Sequence, residues 1–202
     1  MFGARTRITL AGTGIAAALL IAGCSGGDNS AAAPSTTMAG MDHGAATGST
    51  RTDFNDADIS FLQMMYPHHA QAVDMAKLVP TRSQNQQLIA LAANVEQAQS
   101  PEMRQIADLL RAFGKPAPAA TMGHDMPGIM SHDQMTALQN ATGLEFDRMW
   151  MRMMIDHHRG AIDMSNAELS GGVNPDAKKL AQQIVSAQQA EIQQMRGMLD
   201  QG

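Results

Sequence analysis

Two histidine pairs, His68-His69 and His157-His158, each stand one helical turn behind a methionine pair, Met64-Met65 and Met153-Met154. Positions i and i+4 of a helix are neighbours on one face, so this spacing can bring thioethers and imidazoles to a common ion. The string Met-Met-x-x-His-His-x-x-Ala-x-Asp-Met occurs twice, and Met75 and Met164 close its two copies. Two further polar pairs repeat behind them, Gln99-x-x-Glu102 and Gln188-x-x-Glu191. Imidazole suits copper, zinc, iron and nickel, whereas thioether sulfur selects Cu(I) among them. The donor set therefore points to copper, with Cu(I) preferred.

Each residue type also has a plainer use. Methionine on a helix face commonly fills a core, and an inward histidine is commonly a hydrogen-bonded core residue. Glu102 and Glu191 could pair with the histidines in a structural network, while Asp74 and Asp163 fall on a solvated face. Against this stand the joint repetition and the composition: 18 methionines beside one tyrosine and one tryptophan. Some methionines also lie where no core needs filling. Met38, Met41 and His43 occupy a polar N-terminal stretch. Met122, His124 and Met126, followed by Met130 and His132, occupy a Pro/Gly-rich connection. These strings look like the copper-binding segments of periplasmic copper proteins, and they are the weaker ligand candidates.

The elements that must position these groups are helices. Segments of about 56–78, 84–113, 143–169 and 176–201 are rich in Ala, Gln, Leu and Met and lack the alternating β-branched pattern of strands. Pro80 is expected to follow the first helix, and Gly114, Pro116 and Pro118 the second. Gly171-Gly172 should end the third, and Pro175 can open the fourth. Pro67 and Pro101 are expected to interrupt the first two. A shift of 89 residues superimposes the halves without a gap, placing Asp58 on Asp147, Leu91 on Leu180 and Leu110 on Leu199. The domain is thus two copies of one helical hairpin, about 54–113 and 143–202, joined by residues 114–142. An all-α four-helix bundle follows, either up-and-down or ferritin-like according to how that connection runs. At 100° per residue, His68 and His157 fall near the centre of their inward faces and His69 at an edge. Gln99, Glu102, Gln188 and Glu191 interrupt the apolar stripes of the other two helices. A buried carboxylate or imidazole needs a partner, so either these groups satisfy one another or a cation sits among them.

The first residues do different work. Arg5 and Arg7 precede an apolar run, Ile8 to Ala22, shorter than the roughly 20 residues that span a bilayer. It reads as a signal segment. The run ends in Ile21-Ala22-Gly23-Cys24, similar to a bacterial lipobox, which implies cleavage after residue 23 and acylation of Cys24. Cys24 is the only cysteine, so neither an internal disulfide nor a thiolate cage can form. Residues 24–52 are Gly, Ser, Ala and Thr with few large apolar side chains and read as a flexible tether. The bundle domain is 53–202. Loss of Arg5 and Arg7 with residues 1–23 moves the net charge from −5 to −7, which argues against a nucleic-acid partner. Membrane contact falls to the lipid.

The doubled His-His helices, with Asp-Met behind them and Gln-x-x-Glu at 99–102 and 188–191, resemble the domain of unknown function 305 family, including its CopM-like copper-binding periplasmic members. The resemblance covers about Thr52 to Gly202. It implies a ferritin-like four-helix bundle, an extracytoplasmic location and, for some members, copper bound through Met and His. The matching positions are Met64, Met65, His68, His69 and Met75, then Met153, Met154, His157, His158 and Met164. The chain departs from ferritins themselves, whose di-iron sites use Glu-x-x-His: Gln105 and Gln194 stand where those histidines would be.

The sequence thus predicts an extracytoplasmic, lipid-anchored copper-binding protein that sequesters the ion or hands it on, with no organic cofactor. Two other classes compete: a metal-dependent oxidoreductase at a bundle-core site, and a structural or interaction lipoprotein whose buried polar network fixes register. No Ser or Cys sits in a nucleophile motif, and no Gly-rich phosphate loop follows a strand. Since neutral imidazole is the binding form, affinity is expected to fall below a pH of about 6.5.

Overall fold

The computed structural model describes residues 53–116 and 126–201. The signal segment, the tether and Cys24, together with Met38, Met41, His43, Met122 and His124, lie outside the described residues. Five helices are present among the described residues: α1 (Asp56–Arg82), α2 (Gln86–Ala112), α3 (His132–Asn140), α4 (Gly143–Gly171) and α5 (Pro175–Gln201). There is no strand among the described residues, and no helix is long and apolar enough to cross a membrane.

Side-chain caps fix where most of the helices begin. Asn55 accepts the N–H groups of Ala57 and Asp58 while Asp58 accepts that of Asn55, a complete capping box. Asn85 caps α2 in the same sense. Asn174 accepts from Asp176 and Ala177 at the start of α5, where Pro175 takes the first helical position, which needs no N–H. One sequence expectation fails here. α1 does not stop before Pro80 but runs on to Arg82, whereas Pro67 and Pro101 lie inside their helices, as the segments 56–78 and 84–113 have them. Packing along the length of α1 and α2 outweighs the backbone hydrogen bond that each proline removes. α3 was not expected at all. Its Ser131 and Gln134 form a second capping box, and Leu138 buries it against the bundle.

α1 packs on α2 and α4 on α5 as antiparallel hairpins, and α1 and α4 pack on each other at the centre. Asp58 meets Val173 and Asn174, His68 meets His157, and the Trp150 indole N–H donates to the Met75 carbonyl at 2.9 Å. These contacts make α1 and α4 antiparallel, so α2 and α4 run parallel. A bundle with one crossover of that kind is the ferritin-like arrangement, and the up-and-down alternative is excluded.

The interior is two apolar clusters rather than one. The first holds Met75, Val79, Leu88, Leu91, Phe146, Trp150 and Met195. The second holds Phe61, Leu62, Met65, Ile106, Leu110, Leu180 and Ile184. Between them, halfway along all four long helices, lie His68 and His69, Gln99 and Glu102, His157 and His158, and Gln188 and Glu191. A polar layer divides the core.

A second polar feature closes the end of the bundle where α1 begins. Asp58 accepts N–H groups from Asn55 at 2.7 Å, Asn174 at 2.9 Å and Val173 at 3.2 Å. Burial alone would raise its carboxyl, but these bonds and the Glu168 side chain outweigh it and hold it below its ordinary value. Glu168, on the last turns of α4, is buried with no donor reaching either oxygen. Burial, then its hydrogen bond to Asp58 and the charge there, push its carboxyl up to about 8, with Lys178 pulling the other way. A carboxyl held that high is protonated at neutral pH, so it faces the Asp58 carboxylate without two like charges meeting. A group whose folded-state pKa is raised stabilises fully below its ordinary value and loses that contribution as pH rises through the raised one. The melting midpoint should therefore fall as pH rises from about 4.5 to about 8 and level off above it. In Glu168→Gln, whose amide has no proton to lose, that fall should be flatter; identical slopes in the two proteins would contradict the protonated Glu168.

Candidate metal centre

The four histidines of the two doublets are fully buried. This corrects one expectation: His69 is not at an edge, because α1 is covered on two sides, by α4 toward His68 and by α2 toward His69. His68 and His157 meet across the α1–α4 contact with ring centroids 3.7 Å apart and planes tilted by 39°. His69 Nε2–H donates to Glu102 Oε2 at 2.7 Å, and His158 Nε2–H to Glu191 Oε2 at 2.6 Å. The glutamates thus pair with the outer histidine of each doublet and leave the central two to each other. Both carboxylates are partly exposed, 19% and 16%, while both rings are closed to solvent.

A backbone strap crosses this layer. The Pro127 carbonyl lies 3.0 Å from His68 Nε2 and, as an acceptor only, fixes the proton on that nitrogen. Gln71 holds the strap on both sides, donating to the Met130 carbonyl at 2.8 Å and accepting the Met130 N–H at 2.7 Å. Gly128, at φ 75°, and Gly160 let strap and α4 touch backbone to backbone. A methyl group at 160 would collide with the Pro127 carbonyl, and one at 128 with that of Asp156. Sequence reasoning missed Pro127, Gln71 and the glycine pair. Only the Gly128–Gly160 contact had a residue-type signal, a glycine inside α4.

The layer is only half satisfied. Nδ1 of His68, His69 and His158, both nitrogens of His157, and both amide atoms of Gln99 and Gln188 are buried without a hydrogen-bond partner. A network serving register alone would be complete, since each orphaned buried polar atom costs about 1–3 kcal/mol. Burial pushes the His68 imidazole down to about 3, helped by the neighbouring His69. Burial and the other three rings hold His157 well below its ordinary value. Both rings are thus neutral far into acid, so proton competition at them sets in well below the pH of about 6.5 that a free imidazole implies.

Because α1 and α4 are antiparallel, the paired methionines flank the layer on opposite sides. Met64 and Met65 lie toward the Phe61 cluster, and Met153 and Met154 toward the Trp150 cluster. Met65 and Met154 are fully buried and Met64 is half-buried. Met75 and Met164 lie further out, within the two apolar clusters, where they pack rather than face the histidines. Met126 opens the strap and is half-buried, Met130 is buried, and His132 is exposed on α3. Among the described residues, no three His, Cys, Asp or Glu side chains close on a point as a metal cage. The layer therefore lacks the hard, high-coordinate set of a di-iron centre. What it offers is buried imidazole nitrogen, with methionines one turn away along α1 and α4.

The sequence signature described as a domain of unknown function (DUF305) matches residues 58–199. No curated protein matches the chain. Among solved structures, a DUF305 fragment from Deinococcus radiodurans is 32% identical with a TM-score of 0.68, covering 73% of this chain and 98% of its own. CopM in its Cu(I)-bound form is 32% identical with a TM-score of 0.62, covering 71% and 96%. In its Cu(II)-bound form the values are 33% and 0.64, with the same coverage.

Proposed function

The chain belongs to the family described as a domain of unknown function (DUF305), and from that premise we propose that it is a copper-binding protein whose ion sits in the histidine layer. The carrying observation is that layer: four buried rings with five unpartnered nitrogens, flanked on both sides by buried thioethers. The likeness to CopM, solved with Cu(I) and with Cu(II), supports the choice of metal. In this reading the protein acts outside the cytoplasm, held to the membrane by a lipid on Cys24. Its task is to sequester copper or pass it on, with Met38, Met41, His43, Met122, His124 and Met126 capturing Cu(I) weakly at first. Such a role asks for tight but reversible soft-donor coordination and no turnover.

Anaerobic titration of the protein with Cu(I) against a chromophoric Cu(I) chelator tests this, with Zn(II) and Fe(II) as controls. Cu(I) should be withdrawn from the chelator while Zn(II) and Fe(II) bind weakly, and admitting air should consume no oxygen beyond the protein-free control. Failure to compete for Cu(I), or a preference for Zn(II), would refute the proposal; sustained oxygen consumption would instead favour an oxidoreductase.

A further inference from the structure

Resting on the copper reading, we infer that the metal-binding nitrogen of His69 and His158 is Nδ1, with Glu102 and Glu191 as positioning residues that anchor each ring by its Nε2–H.

The two hairpins repeat the same arrangement. In each, the outer histidine of the doublet reaches a glutamate 33 residues later on the next helix, at 2.7 Å in one and 2.6 Å in the other. A carboxylate accepts and does not donate, so the ring proton lies on Nε2 and the Nδ1 lone pair is left bare. That lone pair is buried and no donor reaches it in either half. His68 is anchored in the same sense, with the Pro127 carbonyl in place of a carboxylate and its Nδ1 likewise unpartnered. Three of the four rings thus spend Nε2 on an anchor and keep Nδ1 free. A cation is the partner that would satisfy a buried lone pair at no cost in orphaned donors.

Nδ1 is also the nitrogen nearer the helix stem. Side chains on a helix lean toward its N-terminus, so a metal at Nδ1 is drawn toward the residue one turn earlier. That residue is Met65 for His69 and Met154 for His158, and both are fully buried. The methionine doublets gain a reason for their spacing. A carboxylate hydrogen-bonded to the far nitrogen of a ligating imidazole fixes its tautomer and raises its basicity, and loss of such a partner typically lowers metal affinity about 10–100-fold. The partly exposed carboxylates leave the rings dry while keeping that partner at the solvent edge.

Long-range ¹H–¹⁵N spectra of the histidine rings, recorded on metal-free and Cu(I)-loaded protein, test the inference. His69 and His158 should be Nε2–H tautomers without metal, and Cu(I) should move their Nδ1 resonances while Nε2 stays protonated. The Glu102→Ala, Glu191→Ala double variant should mix the tautomers and lose about 10–100-fold in Cu(I) affinity, and Glu102→Gln with Glu191→Gln should restore part of it. If Cu(I) shifts Nε2 and strips its proton, the inference is overturned while copper binding stands. If Cu(I) binds and leaves all four rings unmoved, both the nitrogen assignment and the histidine layer as the copper site are overturned. If no Cu(I) is taken up, the copper reading falls with it. The wild-type spectra decide the matter even if the alanine variant does not fold.

Discussion

Replacing His157 by leucine is expected to stabilise the metal-free protein while removing its tightest Cu(I) step. The ring is fully buried, neither nitrogen has a hydrogen-bond partner, and both lie in the neutral form. Leucine nearly matches its volume and carries no polar atom, so the change deletes two poorly satisfied groups and loses at most a weak contact to the His68 backbone. Each such group costs about 1–3 kcal/mol, so a gain of that order is expected in denaturant unfolding of the apo protein. The Cu(I) competition titration should meanwhile lose its strongest phase, with weaker thioether binding remaining. A core position where polarity lowers stability is one retained for another purpose. If the variant is less stable and binds Cu(I) unchanged, His157 is a structural residue and the layer has been misread.

The largest loss of stability is expected at Trp150. It is the bulkiest fully buried side chain, and its indole N–H satisfies the Met75 carbonyl across the α1–α4 contact. Truncation to alanine leaves a cavity in the larger apolar cluster and removes the indole hydrogen bond, so Trp150→Ala should cost about 3–5 kcal/mol. The melting midpoint should fall by on the order of 10 °C. Trp150 lies two turns before His157 on the same helix face, and the indole bond sets the register in which His68 and His157 meet. Cu(I) affinity should therefore fall as well, although no ligand is touched. Trp150→Phe, which copies the residue at the equivalent position Phe61, should cost only the hydrogen bond. A loss below about 1 kcal/mol on truncation to alanine would show that Trp150 does not organise this cluster.

Much of this molecule was legible in the chain itself, and the rest fails for identifiable reasons. The gapless repeat and the 3.6-residue periodicity revealed four long helices, and the inward positions of His68, His157, Gln99 and Gln188 are where the structure has them. A helix wheel assumes a single buried face, however, and α1 and α4 each have two. His69 was therefore placed too far out, and the glutamates could not be assigned to the right ring of each doublet. Pro80 read as the end of the first helix because local preference was weighed without the packing that overrides it. α3 was legible in Ser131-x-x-Gln134 but is short enough to be lost in a loop. Contacts made by backbone, such as the Pro127 carbonyl on His68, leave almost no mark on residue type. The Asp58–Glu168 pair breaks the repeat, since Val79 stands where a second glutamate would be, and a search for repeated groups passes over it.

X-ray absorption at the copper K edge of the Cu(I)-loaded protein tests the central claim most directly. A first shell of low coordination number that mixes imidazole nitrogen with thioether sulfur is expected, with the imidazole contribution reduced in His157→Leu. A shell of sulfur alone, identical in wild type and variant, would place the copper outside the histidine layer and contradict the account.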